Sequence, residues 1–199
     1  MTITYVIQDK LYVNITNKCP CNCTFCIRNN GDGAYGSDSL WLEHEPSFDE
    51  IMADVNTHNI SDYKEIIFCG YGEPTCRLDI LVDTAKAMKE KEGCPPIRLN
   101  TNGLSDLINN KNTSEVLGSI FDIISISLNA GTKEEYMKVT RPRFENAFEA
   151  MQKFASDCVK TDAKVIMTVV DVISKEQIES ASEVCNSTGA EFRVRKYDC

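Results

Sequence analysis

The chain has 199 residues, of which 42% are hydrophobic, and its formal net charge is −9. The length and the hydrophobic content are those expected of one globular domain over residues 1–199. The negative charge argues against broad nucleic-acid binding, which needs a positive field. No apolar run reaches the roughly 18–20 residues that cross a bilayer, and the N-terminus lacks the charged and apolar regions of a signal peptide. We therefore expect a cytoplasmic protein that binds neither membrane nor nucleic acid.

Short β-branched runs alternate along the chain with longer amphipathic stretches. The predicted strands cover residues 11–15, 65–69, 97–100, 123–128, 164–170 and 192–195, and residues 3–7 are expected to form a hairpin with the first. The predicted helices cover residues 47–59, 78–92, 104–117 with an interruption near 109–112, a short segment capped by Thr132, a longer one from Phe144 to Ala155, and 175–187. Ser47 and Glu50 predict a capping box at the first helix.

Six strands separated by helical crossovers predict an α/β fold with a parallel sheet wound in one direction. Eight such units close a full barrel, whereas this chain has room for six. We therefore predict a (β/α)6 partial TIM barrel that is open on one side. Its active groups are expected at the C-terminal ends of the strands.

Cysteines dominate the segment that follows the first predicted parallel strand. Ten cysteines are present in the chain, and Cys19, Cys23 and Cys26 have the spacing Cys-x3-Cys-x2-Cys. Three thiolates can hold three irons of a four-iron cluster and leave the fourth iron open for a reacting molecule. A zinc site and a chance cysteine cluster are the alternatives, but zinc sites normally use two separated ligand pairs. Without a secretion signal, we expect reduced thiols in an oxygen-poor cytosol.

This motif, with the aromatic Phe25 before its last cysteine, resembles the signature of radical SAM enzymes, and later motifs follow in that family's order. The resemblance implies a [4Fe-4S] cluster held by Cys19, Cys23 and Cys26. It also implies that S-adenosylmethionine (SAM) binds the open iron through its amino and carboxylate groups, with Phe25 near the adenine. Cys21 is then a bystander.

The segment Gly70-Tyr71-Gly72-Glu73-Pro74 follows the second predicted parallel strand. By itself it indicates only a turn between strand and helix. In context it resembles the family's Gly-Gly-Glu-Pro motif, with Tyr71 in place of the first glycine. The resemblance implies that its backbone groups and Glu73 receive the ammonium group of SAM through a charge-assisted hydrogen bond.

Polar residues at the ends of the next strands are further candidates for cofactor binding. Asn100-Thr101-Asn102-Gly103 predicts a turn with a left-handed glycine and resembles a turn of several radical SAM activases, so Thr101 or Asn102 is expected to contact cofactor or substrate. Ser127 and Asn129 are implied to bind the ribose or carboxylate of SAM, and Arg141 to clamp a carboxylate. The alternatives without a functional role are serine side chains that hydrogen-bond to the neighbouring backbone and an arginine exposed to solvent. Tyr35 and Trp41 are candidates for lining the substrate.

The resemblance implies an enzyme that cleaves SAM reductively with one electron from a reductant such as flavodoxin or ferredoxin. The products are methionine and a 5′-deoxyadenosyl radical, which abstracts a hydrogen atom from an unidentified substrate. The cysteine segment, and within it the stretch from Cys21 to Asn30, most resembles the small TatD-associated radical SAM proteins. A glycyl-radical-enzyme activase and a non-catalytic electron-transfer protein are the alternatives. We expect a protein or peptide to cover the open side of the barrel.

Overall fold

The centre of the structure is a seven-stranded sheet whose spatial order follows the chain. The computed structural model describes residues 1–33 and 36–196. The strands are β1 (Thr4–Ile7), β2 (Lys10–Val13), β3 (Glu65–Phe68), β4 (Ile97–Thr101), β5 (Ile123–Ser127), β6 (Lys164–Val170) and β7 (Glu191–Arg195). β1 pairs antiparallel with β2, and the other five pairings are parallel. The predicted parallel sheet with an N-terminal hairpin is confirmed.

Helices connect the parallel strands. They are α1 (Phe48–Val55), α2 (Leu78–Lys89), α3 (Ser105–Asn109), α4 (Ser114–Ile120), α5 (Lys133–Thr140), α6 (Ala147–Cys158) and α7 (Lys175–Thr188). Short 3-10 helices lie at Ile27–Asn30, Ile60–Asp62 and Pro74–Arg77. None of the helices in the described part of the chain has the length and apolarity that a membrane crossing demands.

Several predicted helices have limits that differ from the structure, and α2 ends at Lys89 rather than at residue 92. Helix α1 ends at Val55, not near residue 59, because Thr57 Oγ1 donates to the Asp54 carbonyl at 2.7 Å and competes with helical pairing. Helix α6 begins at Ala147, after Phe144. The predicted interruption of 104–117 is confirmed, since Asn110 adopts a left-handed conformation with φ 51° and ends α3.

The two faces of the sheet differ in polarity. Leu99, Ile124 and Met167 are fully buried and pack with the helices in one apolar core. Because side chains alternate across a strand, the neighbouring residues point to the other face. That face carries Asn100 beside Ser125 and, in the next layer toward the C-terminal ends, Ser127 beside Thr168 and Arg193. The polar face is therefore the interior of the partial barrel, whose edge strands are β1 and β7.

Ser47 begins α1 through the predicted capping box. Its Oγ accepts from the Glu50 backbone N–H at 3.3 Å, and the Glu50 carboxylate accepts from the Ser47 backbone N–H at 2.8 Å. We expect Ser47→Ala to lower the free energy of unfolding by about 1 kcal/mol. Urea denaturation measures this loss, with Ser119→Ala, on the exposed face of α4, as the control. Equal stability of the two variants would contradict a capping role.

Candidate functional site

The cysteine segment lies at the C-terminal end of β2, where backbone hydrogen bonds attach it to the end of α5. The Asn22 and Thr24 N–H groups donate to the carbonyls of Thr140 and Val139 at 3.0 and 2.8 Å. The Arg143 N–H donates to the Pro20 carbonyl at 3.0 Å. These bonds hold a loop without regular structure in one place against the helical layer.

Three of the four cysteine sulfurs in this segment interact with one another. The Cys21 sulfur is in hydrogen-bonding contact with the sulfurs of Cys19 and Cys23. This contact lowers the pKa of Cys19 and of Cys23 below the ordinary thiol value and raises the pKa of Cys21. Cys26 instead accepts from Arg28 Nε at 3.3 Å. Within residues 1–33 and 36–196, no three His, Cys, Asp or Glu side chains converge on a single-ion site.

The glycines after β3 bring that turn into backbone contact with the start of the cysteine segment. A Cβ atom on Gly72 would lie 2.2 Å from the Thr16 carbonyl oxygen, and one on Gly70 would lie 2.1 Å from Asn14 Oδ1. The Glu73 N–H donates to the Lys18 carbonyl at 2.8 Å. The absence of a side chain at Gly70 and Gly72 is thus required for the two loops to meet.

Glu73 is buried and joins the ends of β3 and β4. Its Oε1 accepts from the Thr75 N–H and hydroxyl and from the Thr101 hydroxyl, and its Oε2 accepts from the Asn102 N–H at 2.7 Å. Burial raises the pKa of Glu73, although the donors at Asn102, Thr101 and Thr75 oppose that change. The carboxylate therefore braces the two turns, and Thr101, a predicted cofactor contact, is one of its donors.

Tyr71 connects the same turn to the segment that follows the cysteines. Its hydroxyl donates to the carbonyls of Gly31 and Gly33 at 2.7 and 3.2 Å. Its ring meets Trp41 edge-on, with ring centroids 5.0 Å apart. Tyr71 is buried, so its side chain has a packing role that a glycine at this position would not fill. The predicted substrate candidate Tyr35 lies outside the described residues.

The turn after β4 places an amide next to the cysteine sulfurs. Gly103 has φ 77°, which confirms the predicted left-handed turn. Asn102 Oδ1 accepts from the Leu104 N–H at 2.9 Å, so its Nδ2 points back, 4.0 Å from Cys19 Sγ and 3.8 Å from Cys21 Sγ. Asn102 is therefore the residue of this turn that lies nearest the thiols.

Buried amide oxygens without partners lie in the barrel interior at the ends of β4 and β5. Asn100 Oδ1 and Asn129 Oδ1 have no hydrogen-bond partner among the described residues. Asn129 is buried and has φ 64°, an uncommon conformation outside glycine. Ser127 is half-buried and paired in register with Thr168. Because buried polar groups are normally satisfied, these oxygens are candidates for contact with a bound molecule.

The other predicted cofactor residues lie at the rim. Arg141 ends α5 with φ 46° and has an exposed side chain, while its carbonyl accepts from the Asn22 N–H at 3.3 Å. Phe25 is half-buried in the turn before the first 3-10 helix. The structure thus brings the cysteines, Glu73 and the Asn102 turn together. Phe25 lies in the cysteine segment, and Arg141 lies at the end of α5, to which that segment is hydrogen-bonded.

Further residues that were not predicted as site residues also lie here. Arg28 contacts Cys26, and its position two residues after a predicted iron ligand is the signal that could have identified it. Tyr136 is buried near the loop, and burial raises its pKa. Burial also raises the pKa of Cys69, beside Asn100, and raises that of Cys76 to about 12. Every cysteine in the described residues is a free thiol, and Cys199 lies outside them.

Comparison with known proteins identifies similar sequences. A family model described as the radical SAM superfamily matches residues 13–185. A GTP 3′,8-cyclase of Limosilactobacillus fermentum is 27% identical over 135 residues, which cover 68% of this chain and 38% of that protein. A GTP 3′,8-cyclase of Corynebacterium glutamicum is 26% identical over 193 residues, 94% of this chain and 48% of that protein. The chain spans about half or less of the length of these curated relatives.

Solved structures with the same fold were also found. SuiB of Streptococcus suis bound to S-adenosylmethionine has a TM-score of 0.62 and 18% identity, covering 94% of this chain and 38% of that chain. Native anSMEcpe with bound AdoMet has a TM-score of 0.63 and 16% identity, covering 94% of this chain and 50% of that chain. At these identities the similarity establishes the fold, and it confirms the predicted partial barrel.

Proposed function

The chain belongs to the radical SAM superfamily, and we propose that Cys19, Cys23 and Cys26 hold its [4Fe-4S] cluster at the C-terminal ends of the strands. The superfamily consists of enzymes that use such a cluster with SAM. One observation carries the assignment to these residues. The cysteine segment, the Glu73 turn and the Asn102 turn converge through the Glu73–Lys18 backbone bond and the Asn102 amide beside the thiols.

The residues at the site fit an iron–sulfur cluster. Iron in such clusters takes thiolate ligands, and the hydrogen-bonding contact with Cys21 lowers the pKa of Cys19 and of Cys23. Cys21 lies outside the Cys-x3-Cys-x2-Cys spacing, so we propose it as a bystander. Cys26 accepts a hydrogen bond from Arg28 Nε, so a cationic side chain lies next to the third sulfur.

The chain also offers groups suited to SAM. A reduced cluster held by these cysteines would supply the one electron for cleavage of the C5′–S bond of SAM, which gives methionine and a 5′-deoxyadenosyl radical. Glu73 and the backbone from Gly70 to Gly72 would orient the ammonium group, as charge complementarity predicts. Ser127 and the unpartnered Asn129 Oδ1 would accept hydrogen bonds from ribose hydroxyls. Phe25 and Arg141 lie at the rim of the site.

The acceptor of the radical is proposed only as a class. The curated relatives are named GTP 3′,8-cyclases, but the chain covers too little of their length to transfer that reaction. We propose a protein or peptide substrate that covers the open side between the edge strands β1 and β7, with an activase as the narrower form of this proposal. A structure with a closed pocket too small for a peptide would count against it. Membership of the TatD-associated group remains a proposal on the cysteine segment.

Anaerobic reconstitution tests the proposed activity. Iron and sulfide are added to the chain, followed by dithionite and SAM, and 5′-deoxyadenosine is measured by chromatography. We expect product formation and a change of the EPR spectrum of the reduced cluster when SAM is added. If SAM leaves the EPR spectrum of the cluster unchanged and no 5′-deoxyadenosine forms, the result supports the electron-transfer alternative and contradicts the proposal.

A further inference from the structure

Arg28 lies between the cysteine sulfurs and an aromatic pair. Its Nε donates to Cys26 Sγ at 3.3 Å, and its Nη2 lies 3.5 Å from the Cys21 carbonyl oxygen. Its charge also acts on the sulfurs of Cys19 and Cys23. Arg28 is therefore a cation with a direct N–H contact to one predicted iron ligand and an electrostatic effect on the other two.

Aromatic packing and a surrounding loop hold the Arg28 guanidinium in place. The guanidinium carbon lies 6.0 Å from the centre of the Trp41 ring, within the range of a cation–π interaction. Trp41 in turn meets the ring of Tyr71, whose hydroxyl donates to the Gly31 carbonyl at 2.7 Å. A half-buried arginine with partners on both sides has less freedom to turn away into solvent.

Hydrogen bonds to the sulfurs of an iron–sulfur cluster are among the features that set its reduction potential. One-electron reduction makes the cluster more negative, so an N–H donor and a nearby positive charge stabilise the reduced state more than the oxidised state. We infer that Arg28 is a positioning residue that raises the reduction potential of the cluster through its N–H contact with the sulfur of Cys26. This inference rests on the proposed function, since it assumes that Cys26 is an iron ligand.

An EPR-monitored redox titration of the reconstituted chain tests this role. Arg28→Met removes both the donor and the charge with little change in length. We expect the equilibrium constant for one-electron reduction to fall about tenfold, which lowers the midpoint potential by about 59 mV. Arg28→Lys keeps the charge but loses the planar Nε–H, so a smaller decrease is expected.

Arg143→Met is the matched control, because Arg143 adjoins the cysteine segment through its backbone but its side chain lies over the Phe144 ring at 4.8 Å. We expect its midpoint to stay close to that of the wild type. An unchanged midpoint in Arg28→Met, or an equal shift in Arg143→Met, would overturn the inference. Should Arg28→Met fail to load iron, Arg28→Lys decides: an unchanged midpoint there overturns the role of the N–H contact.

Failure of the proposed function looks different from failure of the inference. If the wild-type chain binds no cluster, both fall together. If the wild type forms a cluster and cleaves SAM but the Arg28 variants have the same midpoint potential as the wild type, only the inference falls.

Trp41, the single tryptophan of the chain, provides a structural check in the metal-free protein. Loss of the guanidinium in Arg28→Met is expected to shift its fluorescence, and Arg143→Met to leave it unchanged.

Discussion

Alanine at Cys19, Cys23 or Cys26 is expected to abolish both iron binding and 5′-deoxyadenosine formation, whereas Cys21→Ala should retain them. The reason is that each of the three is proposed to supply one of the thiolates that hold the cluster. Cys21 lies outside their Cys-x3-Cys-x2-Cys spacing. Iron and sulfide content after reconstitution, followed by product formation with dithionite and SAM, measures the difference.

The cysteine series needs a control for the loss of a thiol as such. Cys94→Ala serves this purpose, because Cys94 is half-buried in the loop before β4, away from the cysteine segment. We expect its iron content and activity to match the wild type. The ligand assignment would be wrong if Cys21→Ala lost the cluster, or if any one of the three ligand variants retained full iron and activity.

Replacement of Glu73 is expected to have the second large effect. Glu73→Ala leaves four buried donors at Thr75, Thr101 and Asn102 without their acceptor. A buried polar group without a partner costs roughly 1–3 kcal/mol, so we expect the free energy of unfolding to fall by at least that amount. Glu73→Gln keeps one acceptor oxygen but places its NH2 group opposite the Asn102 N–H or the other donors. We therefore expect its free energy of unfolding to lie between those of Glu73→Ala and the wild type.

Two measurements separate the roles of Glu73. Chemical denaturation reports the bracing of the β3 and β4 turns, and the KM for SAM in the reconstituted enzyme reports the proposed ammonium contact. Glu183→Gln, on the exposed surface of α7, is the control and is expected to change stability by less than about 0.5 kcal/mol. A Glu73→Gln variant as stable as this control would show that the buried hydrogen bonds contribute little. A normal KM for SAM would limit Glu73 to bracing.

Local features explain why most of the elements were predictable. The capping box at Ser47 and the cap at Thr132 are encoded by short spacings, and both were found in the structure. Short runs rich in β-branched residues identified the parallel strands, because such residues favour the extended conformation. The end of α1 was wrong because a side-chain hydrogen bond from Thr57 competes with the helix, and such competition is not visible in the apolar periodicity.

Side-chain contacts between distant segments were not predictable in the same way. Glu73 was expected to face the cofactor, but the structure adds four internal donors that come from residues up to Asn102. Tyr71 seemed a departure from a glycine motif, and its side chain instead secures the loop after the cysteines. Arg28 appeared as a polar residue after the motif, and only the folded loop brings its Nε to Cys26.

The sequence by itself determined the order of strands and helices, the partial barrel and the three cysteines that point to radical SAM chemistry. The elements and the barrel follow from periodicity and short spacings, which act over a few neighbouring residues, whereas the chemistry is what the resemblance of the cysteine motif to the family implies. Only the tertiary structure decided which groups surround the cysteines. It brought together Arg28, Glu73 and Asn102 because parallel strands end at one edge of the sheet, and because glycine at position 72 allows two loops to touch. Such long-range contacts depend on packing, and spacing along the chain does not encode them.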